Sequence, residues 1–377
     1  MSAGQDQRGE AFLQKLEAAG YRPCDPAILQ PASIFLDLSG EDMRGRLLLT
    51  SDGAGEFCLR PEFTIPVSWA YLASAQAGEP AAFCCHGPVF RQRSGQSPEF
   101  LQGGLESFGR EDREAADAEI LALALEAANG SAVRDWRIHM GDAGLLAALL
   151  GKIALPPVWL RRIRSGLAKG LTLDEILSPG ADQTTEHSGV LAALDGADKQ
   201  GARALVEDLL EIAGISALGG RTAGEIADRF LEQASLRSGA GLDADKRGLL
   251  QKFFAIEGHP DKASTQLRAL FAASGMELAP EMDLFDQRLN FIAARGINLD
   301  SIHFSAGFAR NLDYYTGFVF EAVELGASGA EPAIGGGRYD RLLSTLGAKS
   351  EIPAVGAAIW IDRLNPAQGA AQGERDK

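Results

Sequence analysis

The chain has 377 residues, 46% of them hydrophobic and 23% charged, with a formal net charge of -15. That length exceeds what one small core needs and predicts a large domain with an insert or a second lobe. The acidic balance argues against broad nucleic-acid binding, which draws on clustered Lys and Arg.

The opening residues lack the basic and apolar regions of a signal peptide. No run reaches the roughly 20 apolar residues of a membrane span. The expectation is a cytoplasmic protein that does not touch a membrane. Cys24, Cys58, Cys84 and Cys85 form no CxxC pair, and the five histidines are scattered. Buried, reduced thiols are therefore expected, with no metal.

Residues 8–19 predict an amphipathic helix, with Phe12, Leu13 and Leu16 on one face and Gly20 closing it. Leu47–Thr50 and Glu56–Arg60 predict a hairpin around Asp52–Gly55. Pro61 ends its second strand, and Ile65–Ala75 reads as a helix. Phe83–Arg93 and Phe100–Gly109 predict two strands around a polar loop, Ser94–Pro98. A helix over Glu114–Ala128 and a strand over Trp136–Met140 follow. From 143 to 295 the pattern is almost wholly helical. Strand character returns at Ser301–Ser305 and Phe318–Val323. A glycine-rich turn then enters a helix over Tyr339–Leu346, and a buried strand covers Ala354–Ile361. Residues 365–377 read as a flexible tail.

Hairpin-linked strands that do not alternate strictly with helices predict an α+β fold, a mainly antiparallel sheet flanked by helices. The predicted organisation is a core over 1–142 and 296–364, interrupted by a helical insert and connecting helices over 143–295.

Several segments are candidates for chemistry. Leu59-Arg60-Pro61-Glu62-Phe63-Thr64 leaves a strand with a carboxylate and a hydroxyl two residues apart, a pair that suits an ammonium group; a solvated turn reads the same way. Gly87-Pro88-Val89-Phe90-Arg91 brings a buried-strand arginine beside a loop, a natural clamp for a carboxylate or phosphate. On the returning strand, Gln102, Gly104 and Glu106 share one face, where bare glycine leaves room for a ligand or for packing. Arg310-Asn311-Leu312-Asp313-Tyr314-Tyr315-Thr316-Gly317 puts two tyrosines ahead of an apolar strand. Gly335-Gly336-Gly337-Arg338-Tyr339-Asp340 is either an anion cradle at a helix N-terminus or a linker. The last strand ends in Asp362-Arg363.

In this order and spacing, these segments resemble histidyl-tRNA synthetase over about residues 10–364, with LDYYTG followed by GGGRYD as the most specific pair. The resemblance implies a class II aminoacyl-tRNA synthetase-like core with a histidine pocket. Glu62 and Thr64 would meet the α-amino group, Gln102 and Glu106 would line the amino-acid site, and Tyr314 and Tyr315 would lie near the imidazole. Arg91, Arg310 and Arg363 match arginines that meet phosphates or assist activation.

The nucleotide side departs from the family. Gln92-Arg93-Ser94 stands where a glutamate reads adenine, the following loop is short, and Trp360 replaces a glycine. About 13 residues follow Leu364, where a synthetase continues into an anticodon-binding domain, so no tRNA charging is expected. The pattern resembles the synthetase-like paralogues that regulate ATP phosphoribosyltransferase. That resemblance implies L-histidine as an allosteric ligand, no cofactor and no catalysis. It also implies a hetero-octamer with a short-form catalytic subunit and a self-dimer through the region around Gly20–Phe35. A histidine-activating ligase and a truncated synthetase are the alternatives.

Overall fold

The computed structural model describes residues 3–36, 45–53, 55–129, 135–178, 217–218, 221–222, 242–308, 314–325 and 331–364. Two compact units divide the chain, one formed by Met1–Ala148 with Phe253–Lys377 and the other by Leu149–Lys252.

The first unit begins with α1 (Ala3–Ala18), β1 (Arg22–Pro23), β2 (Leu29–Pro31), β3 (Leu49–Ser51), β4 (Glu56–Leu59) and α2 (Thr64–Leu72). It continues with β5 (Ala81–Phe90), β6 (Glu99–Phe108), α3 (Arg113–Asn129), β7 (Trp136–Asp142) and α4 (Ala143–Lys152). The second unit carries α5 (Pro157–Ala168), α6 (Leu173–Leu177), the short strands β8 (Ala217–Leu218) and β9 (Arg221–Thr222), and most of α7 (Ala244–Phe254). The first unit resumes with β10 (Glu257–Gly258), α8 (Pro260–Ala273), α9 (Ala279–Ala294), β11 (Ile302–Ser305), β12 (Phe318–Glu324), β13 (Ile334–Arg338), α10 (Leu342–Thr345) and β14 (Ala354–Trp360).

Nine strands form one sheet in the order β1-β5-β6-β14-β13-β12-β7-β11-β10. Pairing is antiparallel except for β1 with β5 and β11 with β7. A small sheet, β2-β4-β3, stands apart from it. This is the α+β architecture that the hairpin spacing predicts. Along β7, Trp136, Ile138 and Met140 are buried while Arg137 and His139 face outward, so alternation reports a sheet covered on one side there. On the covered side Phe12 of α1 fits only because Gly103 is bare: a Cβ there would stand 2.7 Å from its ring. Alanines 116, 118 and 124 of α3 are fully buried, and their small size lets that helix lie close to β13 and β14.

The opposite face is built in transverse register. Cys85, Gly104, Ala358, Gly335, Glu321, His139 and His303 are successive partners across seven strands. Glycine and alanine at three adjacent places leave a floor for a cavity.

One predicted element is corrected. The glycine-rich segment is not a turn entering a helix but the central strand β13, and the helix after it is only Leu342–Thr345. Helix propensity after a glycine run suggested a cap; close packing between two strands explains the glycines instead. A Cβ at Gly336 would stand 2.4 Å from the Gly356 carbonyl oxygen.

The second unit is joined locally by its own contacts. Thr172 and Glu175 form a reciprocal capping box that starts α6. The Arg162 side chain donates to the Ile176 and Ser178 carbonyls, each at 2.5 Å. Gly166 lies against Ile176, where a Cβ would come within 2.4 Å of that side chain.

A buried ion network joins the helices of the first unit to its sheet. Asp117 on α3 accepts from Arg288 Nε of α9 at 2.8 Å and from Arg338 Nε of β13 at 2.9 Å. Arg288 also donates to Asp142 at 2.6 Å, and Arg338 to Asp340 at 2.8 Å. Breaking a buried pair leaves an uncompensated charge and costs about 3–5 kcal/mol, whereas an exposed pair contributes about 1 kcal/mol or less. Arg288→Ala is therefore expected to lower stability by about 3–5 kcal/mol, read by urea denaturation. Losing the exposed partner of Arg268 through Asp283→Ala should cost about 1 kcal/mol or less.

Candidate functional site

A cavity of about 790 Å³ opens over the small-residue floor of the sheet. Among the residues lining it are Glu62, Thr64, Gln102, Tyr314, Tyr315, Arg91 and Arg363, brought together from five separate segments. Glu106 lies just beneath its wall, 1% exposed. Arg310, the remaining expected anion contact, falls outside the described residues.

Glu62 stands three residues beyond the end of β4, after Arg60 and Pro61. Its carboxylate accepts from the Thr64 N–H at 2.6 Å and the Ile65 N–H at 2.9 Å, so it caps the first turn of α2. The Thr64 side chain also hydrogen-bonds this carboxylate. Burial raises the carboxyl above its ordinary range; the helix amides, then Arg91, pull the other way.

Glu106 sits on β6, paired with Gly356 of β14. The bare glycine is required: a Cβ at 356 would stand 1.6 Å from Glu106 Oε2. Tyr339 donates its hydroxyl proton to the same oxygen. Burial pushes the Glu106 carboxyl up to about 8; hydrogen bonds from Thr64 and Tyr339 only partly offset this, and the Glu62 charge adds to it. Glu106 is therefore mostly protonated at neutral pH in the ligand-free protein.

Tyrosines close the cavity above these acids. The Tyr314 ring meets Tyr315 edge-on at 4.8 Å between centroids and lies 5.4 Å from Tyr339. Burial drives the Tyr314 and Tyr339 phenols well above their ordinary value, so both remain donors.

Two buried polar atoms of residues lining this cavity have no partner among the described residues, Gln102 Oε1 and Arg91 Nε. One is an acceptor and the other a donor. A buried polar atom left unsatisfied costs about 1–3 kcal/mol, so a ligand bearing both an ammonium and a carboxylate suits this cavity. Arg91 lies over Phe100, 4.9 Å from the ring centroid. Burial lowers its guanidinium to about 10, opposed by Glu62 and helped by the nearby cations Arg46, Arg93 and Arg363.

The far end of the cavity is closed differently. The Trp360 indole lies over Gly335, 3.5 Å from where a Cβ would be. The Arg363 guanidinium covers the indole at 4.8 Å. Arg363 is itself held by Glu331 at 2.5 Å and by the Pro332 carbonyl at 2.6 Å. Arg93 lies over the Phe100 ring, 4.1 Å from its centroid, and donates to the Ser97 carbonyl.

Sequence reasoning did not single out Tyr339 or Gly356 as parts of the site. Strand alternation through Arg338-Tyr339-Asp340 offers a signal for the first, because 338 and 340 turn to the ion network and 339 turns away. The Gly356 signal exists only once its pairing with Glu106 is known. Among the described residues, no three His, Cys, Asp or Glu side chains are arranged to hold a metal ion. None of the described helices is long and apolar enough to cross a membrane.

The histidyl-tRNA synthetase family matches residues 5–211 and 199–364. An ATP phosphoribosyltransferase regulatory subunit from Mesorhizobium japonicum is 40% identical, covering 96% of this chain and 97% of that relative. One from Chelativorans sp. is 39% identical over 92% of this chain and 93% of that relative. Among solved structures, an ATP phosphoribosyltransferase regulatory subunit/histidyl-tRNA synthetase from Bacillus halodurans aligns with a TM-score of 0.68 at 18% identity, over 96% of this chain and 79% of that one. A histidine–tRNA ligase subunit from Alicyclobacillus acidocaldarius aligns with a TM-score of 0.59 at 24% identity, over 96% and 91%. At those identities the two structures speak for the fold alone, the class II synthetase type with its antiparallel sheet and flanking helices. With motifs, fold and full-length relatives in agreement, this chain belongs to the ATP phosphoribosyltransferase regulatory subunits, a branch of the histidyl-tRNA synthetase family.

Proposed function

We propose that this chain senses L-histidine for ATP phosphoribosyltransferase and performs no chemistry of its own. The single observation that carries the reading is the cavity's pairing of an unsatisfied acceptor and an unsatisfied donor beside Glu62 and three tyrosines, one of which holds buried Glu106. The ligand's ammonium group meets Gln102, Glu62 and Thr64. Its carboxylate meets Arg91. Its imidazole lies between Tyr314 and Tyr315 on one side and Glu106 on the other. A pocket that hydrogen-bonds a polar side chain turns away analogues lacking it.

The Trp360–Arg363–Glu331 stack supports a role without nucleotide chemistry, since it fills space with the protein's own groups and neutralises the arginine expected to meet a phosphate. In the complete complex the chain pairs with itself through the region around Gly20–Phe35 and joins a short-form catalytic subunit as a hetero-octamer. Exposed Ile28 and Leu29 in that region suit a covered surface. Regulation is then linkage. Histidine favours one conformation of this subunit, that conformation biases the catalytic partner, and the partner's state alters histidine affinity by the same factor.

The test is calorimetric titration with L-histidine. Binding is expected in the wild-type chain, and Glu106→Ala is expected to remove it while the fold persists. Unchanged affinity in that variant would mean that the ligand lies elsewhere. A histidine-activating ligase would instead catalyse histidine-dependent ATP–pyrophosphate exchange; no exchange is expected here, nor in Trp360→Gly.

The acid's proton bears on binding. The folded-state value of Glu106 lies above its unfolded one, so the protonated acid stabilises the empty fold fully below the ordinary carboxylate range, and that share is lost as pH rises through about 8. The group that meets Glu106 is the ligand's imidazole, which is mostly neutral at about pH 7, so the proton is shared with the ligand and not released. Affinity should therefore change little from about pH 7 to pH 8 and fall about fivefold from pH 8 to pH 9, as Glu106 loses its proton before the ligand arrives. Affinity flat through about pH 9 would show that Glu106 does not titrate with the ligand.

A further inference from the structure

Tyr339 is held from behind. Its neighbours on either side, Arg338 and Asp340, are both 4% exposed and both locked into the ion network under the sheet. Arg338 gives Asp117 two contacts, from Nε at 2.9 Å and from a terminal nitrogen at 2.7 Å, and donates to the Arg113 carbonyl at 2.9 Å. Asp340 accepts from Arg338 at 2.8 Å, from Arg113 at 3.0 Å and from the Ala354 N–H at 2.8 Å. These bonds run in several directions, so the backbone at 338–340 has little room to turn. Tyr339 projects the other way, into the cavity wall, where its hydroxyl donates to Glu106.

The same turn also holds the tyrosine loop. The Thr316 N–H donates to the Arg338 carbonyl at 2.8 Å, and the Asp340 N–H donates to the Thr316 hydroxyl at 3.0 Å. The Ala354 end of β14 lies two residues from Gly356, which faces Glu106. Every group that surrounds the buried acid from this side is therefore tied to one turn, and that turn is tied to Asp117. Asp117 is fully buried on α3 and does not line the cavity.

We propose that Asp117 is a positioning residue of the amino-acid site: acting through Arg338 and Asp340, it fixes Tyr339 and so the orientation of Glu106. The inference rests on the histidine-binding reading above and assigns a residue remote from the ligand to its recognition. Exchanging the Asp117 carboxylate for an amide removes an acceptor from one of two arginines, which relaxes the turn and weakens the grip of Tyr339 on Glu106.

The experiment is histidine titration of Asp117→Asn and Tyr339→Phe in the full chain, with Ile302→Val as a buried control distant from both. Asp117→Asn and Tyr339→Phe should each weaken histidine binding by about tenfold or more. Their combination should add little, because both act through one contact. In both variants the fall of affinity above about pH 8 should shift to higher pH, since Glu106 loses a donor to its carboxylate form. Ile302→Val should lose stability but keep the wild-type affinity and pH profile. A folded Asp117→Asn with wild-type affinity and pH profile overturns the proposal, as do losses that simply add. Should Asp117→Asn fail to fold, Arg338→Lys keeps the charge, gives up the two-point contact and is judged by the same outcomes. If the wild-type chain takes up no histidine, the reading of the site falls along with this proposal; if it binds and Asp117→Asn binds equally well, only the positioning role falls.

Discussion

A carboxylic acid buried without a cation beside it governs the site. Glu106 reaches into a space that exists because Gly356 has no side chain, and the described residues supply hydroxyls there rather than an ammonium or guanidinium. Such a group is either protonated or waiting for a positively charged ligand. Glu62 is also a buried acid, but the helix amides it caps and then Arg91 compensate it in part. Two acids in one enclosure make the entry of a cation favourable, and the tyrosines around them limit the shape of cation that fits. The ion network beneath the sheet provides the rigidity: in contrast to the cavity, it carries three arginines against three aspartates and is satisfied by neighbours within the core.

Much of this was legible in the sequence, for identifiable reasons. Gln102 and Glu106 share a strand face by alternation, and the resemblance to the histidyl-tRNA synthetase family implied that Glu62, Thr64, Tyr314 and Tyr315 would join them. The one-sided strand β7 announced itself by alternation. Other features were not legible because they arise between segments distant in sequence. The glycine run reads locally as a turn and becomes a strand only because β12 and β14 crowd it on both sides. Trp360 is a conspicuous residue, but Glu331, which holds the arginine over its indole, lies 29 positions earlier, and nothing local links them. Gly356 acquires its meaning from Glu106, 250 positions away.

A synthetase-type fold turned to sensing is physically economical. Recognition of an amino acid requires a buried, preorganised set of donors and acceptors, which this sheet face provides. Chemistry on that amino acid further requires room for a nucleotide and cations free to meet its phosphates. Here the far end of the cavity holds an indole stacked between glycine and arginine, with the arginine paired to Glu331. On the proposed function the same scaffold keeps selectivity for the amino acid without a second substrate, and binding energy that a synthetase directs to activation is available to bias a conformational equilibrium.

The central claim is that histidine held in this cavity sets the activity of a partner enzyme. Its most direct test is the rate of phosphoribosyl-ATP formation by the short-form catalytic subunit, measured with and without this chain across a histidine titration. The account predicts that the chain raises the rate, that histidine lowers it, and that Glu106→Ala keeps the first effect and loses the second. A rate indifferent to the chain, or histidine inhibition that survives Glu106→Ala undiminished, would contradict it.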